Sequence, residues 1–215
     1  YVNDVPHIGH AYTTIACDII ARYQKLNNNN VFFLTGTDEH GQKVEKAALN
    51  VSKSPQSFVD GMSVNFKNIV SFLGCEINDF VRTTEKRHIK AAQFLWKKLK
   101  DNNQIYLSNY EGWYSVRDES FYSENEMTKE NGKFIAPTGA SVEWVKEESY
   151  FFKLSEWQER LVSFYKKNPD AVLPKSRYNE VLSFVKNGLK DLSISRTTFK
   201  WGIPVPNNDN HIMYV

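Results

Sequence analysis

Two histidines, His7 and His10, flank Ile8-Gly9 in PHIGHAY, and a helical pattern starts at the next residue; the chain has only five histidines in all. An imidazole pair at the start of a helix suits the binding of an anion. Gly9 lets the backbone come close to a ligand with no Cβ in the way. The first helical turn offers unpaired N–H groups and the positive end of the helix dipole. Imidazole N–H groups donate to phosphate oxygens, and do so more strongly as negative charge builds in a transition state. Zinc is the rival use of His-x-x-His, but a turn with no cysteine nearby and no strong third ligand disfavours it. A second candidate is Asp38 in TGTDEHG, which follows the apolar, β-rich run VFFLTG. A carboxylate there can meet a substrate cation, or simply cap the helix that follows.

The elements that position these residues follow from periodicity. Ile15, Ile19, Ile20, Tyr23 and Leu26 lie close to helical spacing within 11–26, and the run Asn27–Asn30 ends that helix. Val2 reads as the tail of a strand. Residues 40–53 and 55–74 read as helices parted at Ser54-Pro55. FVRTT at 80–84 reads as a strand, with Thr84 capping a helix from Glu85 to about Lys100. Alternating strands and helices are the pattern of a parallel sheet with crossover helices. In such sheets ligands bind beyond the carboxyl ends of the strands. Both HIGH and TDEHG fall at a strand-to-helix junction, so the reading requires His7, His10 and Asp38 to open onto one cleft.

From Ile105 to Lys153 the pattern changes to short β-rich pieces, IYLSNYEGWYSV, FYSE, KFIAP and EWVKEESYFF, which read as a small insertion. Helical patterns return at 155–167 and 177–188, and strand-like runs at ISRTTFKWGIPVP and HIMYV. The helix 85–100 carries Lys86, Arg87, Lys90, Lys97, Lys98 and Lys100, which read as a solvated face before an RNA contact. Phe151 and Phe152 read as hinge or core packing.

The totals exclude several classes. With 27 basic and 25 acidic side chains among 215 residues, the net charge of +2 gives no general coat for nucleic acid, though local basic faces remain possible. Cys17 and Cys75 are too few for a disulfide framework and fit a reducing compartment. No apolar run approaches the ~20 residues of a bilayer span. The chain starts at Tyr1 without a methionine and reads as an excerpt of a longer one.

PHIGHAYTTIACDIIARY resembles the HIGH signature of class I aminoacyl-tRNA synthetases, and with Tyr1, Asn3 and Pro6 ahead of it is similar to their methionyl family. The likeness continues in order through FLTGTDEHGQKVEKAA, FVRTTEKRH, EGWYSVRDESFY, EESYFFKLS, LSISR, WGIPVP and HIMYV, nearly the whole chain. GTDEHG and WYSVRDESFY make it specific. The resemblance implies an α/β fold with a Rossmann-like parallel sheet split by a smaller β-rich connective insertion. Residues 1–104 would be the first half of the catalytic domain, 105–190 the insertion, and 191–215 the start of the second half.

It also implies methionine–tRNA ligase chemistry: methionine attacks the α-phosphate of ATP, bound with Mg2+, and the methionyl group then passes to tRNA(Met). By resemblance His7 and His10 bind ATP phosphates and stabilise the transition state, and Gly9 lies against adenosine. Asp38 holds the α-amino group of methionine, Tyr1 closes over its side chain, and Arg196 supports the amino-acid site. His40 and His88 take structural roles only. Many relatives hold zinc through Cys-x-x-Cys pairs where this chain has Ser115 to Glu119. A serine and an aspartate cannot replace two thiolates. No zinc is expected, and Asp118 and Glu119 are expected to hold the knuckle through ion pairs with neighbours such as Arg117.

The family's KMSKS loop is absent from the chain, so the 215-residue piece alone is expected not to make adenylate. The alternatives are another class I synthetase, cysteinyl or leucyl, and a catalytically silent tRNA-binding module. The expected compartment is the cytoplasm, with an organelle as the alternative; no membrane partner is implied.

Overall fold

The computed structural model describes residues 2–118, 120–130 and 132–214. They form two compact units, Tyr1–Lys97 with Phe199–Ile212, and Lys98–Thr198 with Met213–Val215. Tyr1 and Glu119, both named from the sequence, lie outside the described residues.

The first unit contains helices α1 (Ile8–Leu26), α2 (Gln42–Asn50) and α3 (Pro55–Phe72), and strands β1 (Leu34–Thr37) and β2 (Asp79–Arg82). Helix α4 spans Lys86–Asp101. Pro55 opens α3 as its first residue, where its missing N–H costs nothing, and the Ser54 hydroxyl accepts from the Ser57 N–H. β1 and β2 pair in parallel, Leu34 opposite Asp79 through Thr37 opposite Arg82, as the strand–helix alternation predicts. Gly36 permits that pairing: a Cβ there would stand 2.0 Å from the Val81 carbonyl oxygen. Val2, Val44, Val59 and Phe66 form the core, packed by Phe58, Met62, Phe80 and Trp201. Each fully buried side chain of this kind contributes about 1.5–3 kcal/mol.

Two local expectations are corrected, and the first helix adds an observation of its own. Val2 is core but belongs to no strand; its N–H donates to the Asp38 carbonyl at 3.3 Å. The first helix starts earlier than its apolar pattern, at Ile8, because His7 serves as N-cap. The apolar stripe of that helix does not face the core. Ile19, Ile20, Tyr23 and Leu26 are exposed, and only Asp18 and Ala21 are buried.

The second unit is built on β3 (Ile105–Ser115), β4 (Ser120–Tyr122) and β7 (Glu143–Phe152), with the short strand β8 (Leu192–Ser193), in the sheet order β4-β3-β7-β8. β3 and β7 are antiparallel from Ile105 opposite Phe152 to Tyr114 opposite Glu143. Strands β5 (Thr128–Glu130) and β6 (Lys133–Ile135) form a separate hairpin. Helices α5 (Gln158–Lys167) and α6 (Lys175–Lys186) pack on one another, and the Tyr178 hydroxyl donates to the Tyr165 carbonyl at 2.9 Å. Phe151 is buried and stacks on Tyr106 with centroids 5.5 Å apart, a packing role. The two-residue strand β9 (Ser195–Arg196) precedes β10 (Ile203–Val205) and β11 (Asn208–Met213) in the chain.

At the knuckle 115–118 the expected Arg117–Asp118 ion pair is present, but further bonds to Asp118 accompany it. Arg117 reaches Asp118 at only 3.4 Å from an exposed position, so that ion pair is weak. Asp118 also accepts from the Thr138 hydroxyl at 2.5 Å and the Tyr122 hydroxyl at 3.1 Å, and its own N–H donates to Ser115 Oγ. Short hydroxyl–carboxylate bonds are charge-assisted and stronger than an exposed ion pair. They hold the Asp118 carboxyl below its usual range, the Thr138 bond contributing most.

Candidate active site

The two histidines are locked into the start of α1 by reciprocal hydrogen bonds. His7 Nδ1 accepts from the Gly9 N–H at 3.1 Å, and His10 Nδ1 accepts from the His7 N–H at 3.1 Å. Their rings lie 4.0 Å apart between centroids, and His10 meets Phe66 edge-on at 5.1 Å. A backbone N–H can only donate, so both Nδ1 atoms must be lone-pair acceptors. In the neutral imidazole the proton then sits on Nε2. Each ring therefore presents one N–H donor outward. Burial, then repulsion from His7 alongside, keeps the His10 pKa below its ordinary value, so His10 is a neutral donor at pH 7. The first turn of α1 contains no acidic side chain, which leaves the positive helix end uncancelled.

Gly9 has a second reason to be glycine beyond the approach of a ligand. A Cβ at this position would lie 2.9 Å from His7 Cε1 and 3.0 Å from its Nδ1. The missing side chain makes room for the His7 ring itself.

Asp38 follows β1 directly. It does not cap α2; that helix is preceded by Gly41 at φ 105°, with no side-chain cap. Along 36–39 exposure alternates, with Thr37 and Glu39 buried and Asp38 exposed, the period of two expected of an extended chain. Asp38 and His10 line one cavity of about 260 Å³, together with Thr13, Thr14, Thr35 and Phe66. His7 is exposed and is not part of that wall.

The residue that sequence reasoning missed is Glu39, whose side chain is 0% exposed. Its Oε1 accepts from Thr37 Oγ1 at 2.6 Å and Arg82 Nε at 2.7 Å. Its Oε2 accepts from Arg82 Nη2 at 2.9 Å and Thr84 Oγ1 at 2.5 Å. The Thr84 hydroxyl thus donates to Glu39, and α4 itself starts two residues on, at Lys86. The main chain of Glu39 is held as well: its N–H donates to Thr83 Oγ1 at 2.9 Å, and its carbonyl accepts from Trp201 Nε1 at 2.6 Å. Arg82 also binds Asp60 at 2.6 Å, and the two carboxylates, Glu39 first, raise its pKa further above the usual guanidinium value. The signal was available, since TDEH puts two acids side by side on an extended segment and only one of them can face a cleft.

His40 packs edge-on to Trp201 at 5.4 Å, and burial pushes its pKa down to about 4. His88 Nδ1 is buried and has no hydrogen-bond partner among the described residues. Arg196 belongs to the second unit, where it is buried. Its Nη1 donates to Ser193 Oγ at 2.8 Å and to the Ser195 carbonyl at 2.7 Å. On the basic helix, Arg87 is taken up by Asp79 and Glu85. Among the described residues no group of three or more His, Cys, Asp or Glu side chains is placed to hold a metal ion. Ser115 and Asp118 are spent on each other and on neighbouring hydroxyls, so their donor set does not suit zinc. No helix of the described residues is long and apolar enough to cross a membrane.

An α/β domain thus brings His10, in the first turn of α1, and Asp38, just past a parallel strand, to the wall of one cavity. Comparison with known proteins narrows this. The family model described as "tRNA synthetases class I (M)" matches residues 1–133 and 130–215, and the chain belongs to that family. It is 60% identical over 215 residues to the methionine–tRNA ligase of Rickettsia bellii and 52% identical over 216 to that of Rhizobium meliloti. All of the chain is matched in both cases, but it spans only 42% of the length of each relative. The Mycobacterium tuberculosis methionyl-tRNA synthetase bound by methionyl-adenylate superimposes on the whole chain with a TM-score of 0.94 at 45% identity, over 43% of that protein.

Proposed function

We propose that this chain supplies part of the catalytic site of a methionine–tRNA ligase, in which the methionine carboxylate attacks the α-phosphate of ATP and expels pyrophosphate to give methionyl-adenylate, and the methionyl group then passes to the terminal ribose of tRNA(Met) with release of AMP. ATP enters with Mg2+ as the substrate complex. In this reading the Nε2–H groups of His7 and His10, at the positive end of α1, receive the phosphates, and Gly9 lies against adenosine. Asp38 receives the α-ammonium of methionine, with Tyr1 over the side chain and Arg196 supporting the amino-acid site. Residues 105–190 act as the connective insertion between 1–104 and 191–215.

The observation that supports this most is the cavity lined by both His10 and Asp38. Activation of a carboxylate by ATP needs an anion-accepting and a cation-accepting group held in one site, since positioning and charge neutralisation supply most of the catalysis. The test is methionine-dependent exchange of pyrophosphate into ATP by the polypeptide that carries this chain. Asp38→Asn should raise KM for methionine, and His10→Ala should lower kcat. Exchange supported by another amino acid in place of methionine, or unchanged in both variants, overturns the reading.

A further inference from the structure

Glu39 is the most completely enclosed ionised group of the first unit, and nothing in the proposed chemistry uses it. Its two oxygens take four donors from Thr37, Arg82 and Thr84, and its own N–H and C=O are fixed by Thr83 and Trp201. A buried ion pair is a poor way to gain stability, because desolvation offsets most of the Coulomb attraction and a well-packed apolar group serves as well. What a fully bonded carboxylate does supply is direction. Four converging donors fix the side chain, and two main-chain bonds fix the peptide that bears it.

Asp38 lies between two fixed points. On one side, the Thr37 carbonyl accepts from the Thr83 N–H at 3.2 Å and the Thr37 hydroxyl binds Glu39. On the other, the Glu39 N–H is held by Thr83. The Asp38 carbonyl accepts from Val2. Its exposed carboxylate is thus carried on a peptide segment that cannot pivot unless the Glu39 cluster breaks.

We propose that Glu39, with Arg82 and Thr84, is a positioning device for Asp38 that sets affinity for the ammonium group of the amino-acid substrate. Glu39 never touches the substrate; it acts through the strand tip. The inference rests on the functional reading above.

The experiment compares Glu39→Gln and Thr84→Val with the parent polypeptide in pyrophosphate exchange. In Glu39→Gln one acceptor oxygen becomes a donor facing Arg82 Nη2 and the Thr84 hydroxyl. KM for methionine should rise about 10- to 100-fold, the range expected for a displacement near 1 Å, while KM for ATP stays within about twofold. Thr84→Val removes a single donor and should give a smaller shift of the same kind; it carries the test if Glu39→Gln fails to fold. The decisive readout is inhibition by 4-methylthiobutanoate, which keeps the methionine side chain and carboxylate but lacks the amino group. Its Ki should not change. Equal losses for methionine, ATP and the desamino analogue indicate a merely structural role and overturn the inference, as does an unchanged KM for methionine. A parent protein inactive with methionine overturns the functional reading itself, a distinct outcome under which this inference falls with it.

Discussion

Replacing Gly9 by alanine separates the geometry of the histidine turn from the stability of the fold. Gly9 is the second residue of α1 and has no positive φ, so alanine fits the backbone there. Alanine gains up to about 1 kcal/mol over glycine within a helix, and less in the first turn. Against this, the new Cβ would sit 2.9 Å from His7 Cε1 and 3.0 Å from Nδ1. The ring must swing aside, which breaks the 3.1 Å bond from the Gly9 N–H. Losing an N-cap bond costs about 1 kcal/mol, and the ring is exposed, so no burial is lost with it. The two effects nearly cancel. The urea midpoint should therefore stay close to that of the parent, while the displaced donor costs exchange activity on the order of 10²-fold, the usual loss of one preorganised transition-state hydrogen bond. Measuring both quantities on the same protein decides the matter. Near-parental activity at unchanged stability refutes the reasoning, because His7 would then tolerate a position that the parent geometry forbids. A fall in activity matched by a large fall in stability refutes it differently, by showing that the turn is part of the folding core.

Three further outcomes follow. His40 has a folded-state pKa of about 4 against an ordinary 6.5, chiefly through burial. The unfolded chain therefore binds a proton that the folded one refuses, and stability falls as pH drops from 6.5 to 4, by about 3 kcal/mol in all. His40→Gln should flatten that slope in urea denaturation; an identical slope would remove His40 as its source. Asp18 is held below the usual carboxylate range, mainly by its bond to Arg22 at 2.6 Å, and it also accepts from the Glu76 N–H at 2.9 Å. Its contribution is complete above the unfolded value near 4 and is lost as pH falls through the lower folded value, so Asp18→Asn should destabilise by about 1–3 kcal/mol at pH 7 and by much less in strong acid. A constant difference across pH would exclude the linkage. Hydrogen exchange should find the amides of Glu39 and Thr83 protected far longer than that of Gly9, since the former are stapled beneath a buried ion pair and the latter frays with an exposed helix end; equal protection would contradict the described burial.

Much of this site was legible because its signals are local. A glycine between two histidines, or a carboxylate just past a β-rich run, can be read within ten residues. The parallel pairing of β1 with β2 was legible for a similar reason, since strand–helix–strand order leaves few other ways to close the chain. Thr84 and Glu39 were not legible, because each is defined by the other across 45 positions. Seen alone, a threonine ahead of a helix is a good cap, and an exposed cap hydroxyl contributes about 1 kcal/mol. A buried glutamate left short of a donor costs more than that, so the hydroxyl goes to Glu39. At Asp118 hydroxyl donors from Thr138 and Tyr122, distant or unremarkable in the sequence, add to the expected pair with Arg117. The apolar stripe on α1 is a different case. Helical spacing of apolar residues identifies a face, but it does not say whether anything within the described residues covers that face.

The two sides of the proposed site are built from materials of opposite stiffness, and that contrast is itself an argument about what each must do. The imidazoles stand on an exposed helix end, fixed by single neutral hydrogen bonds of 3.1 Å that are cheap to break and remake. The carboxylate stands on a strand tip backed by the ion pair of a fully buried Glu39 with a partly buried Arg82. A phosphate chain gathers charge as it reacts, and donors set in place before that charge develops stabilise it most, so even these light bonds count toward the rate. An ammonium group keeps its charge and its position throughout, so a rigid acceptor can discriminate by placement alone. On this view substrate selection falls to the strand tip and response to the reaction falls to the helix end. Loosening the Glu39 cluster should then blur which amines are accepted before it slows the chemistry of those that bind.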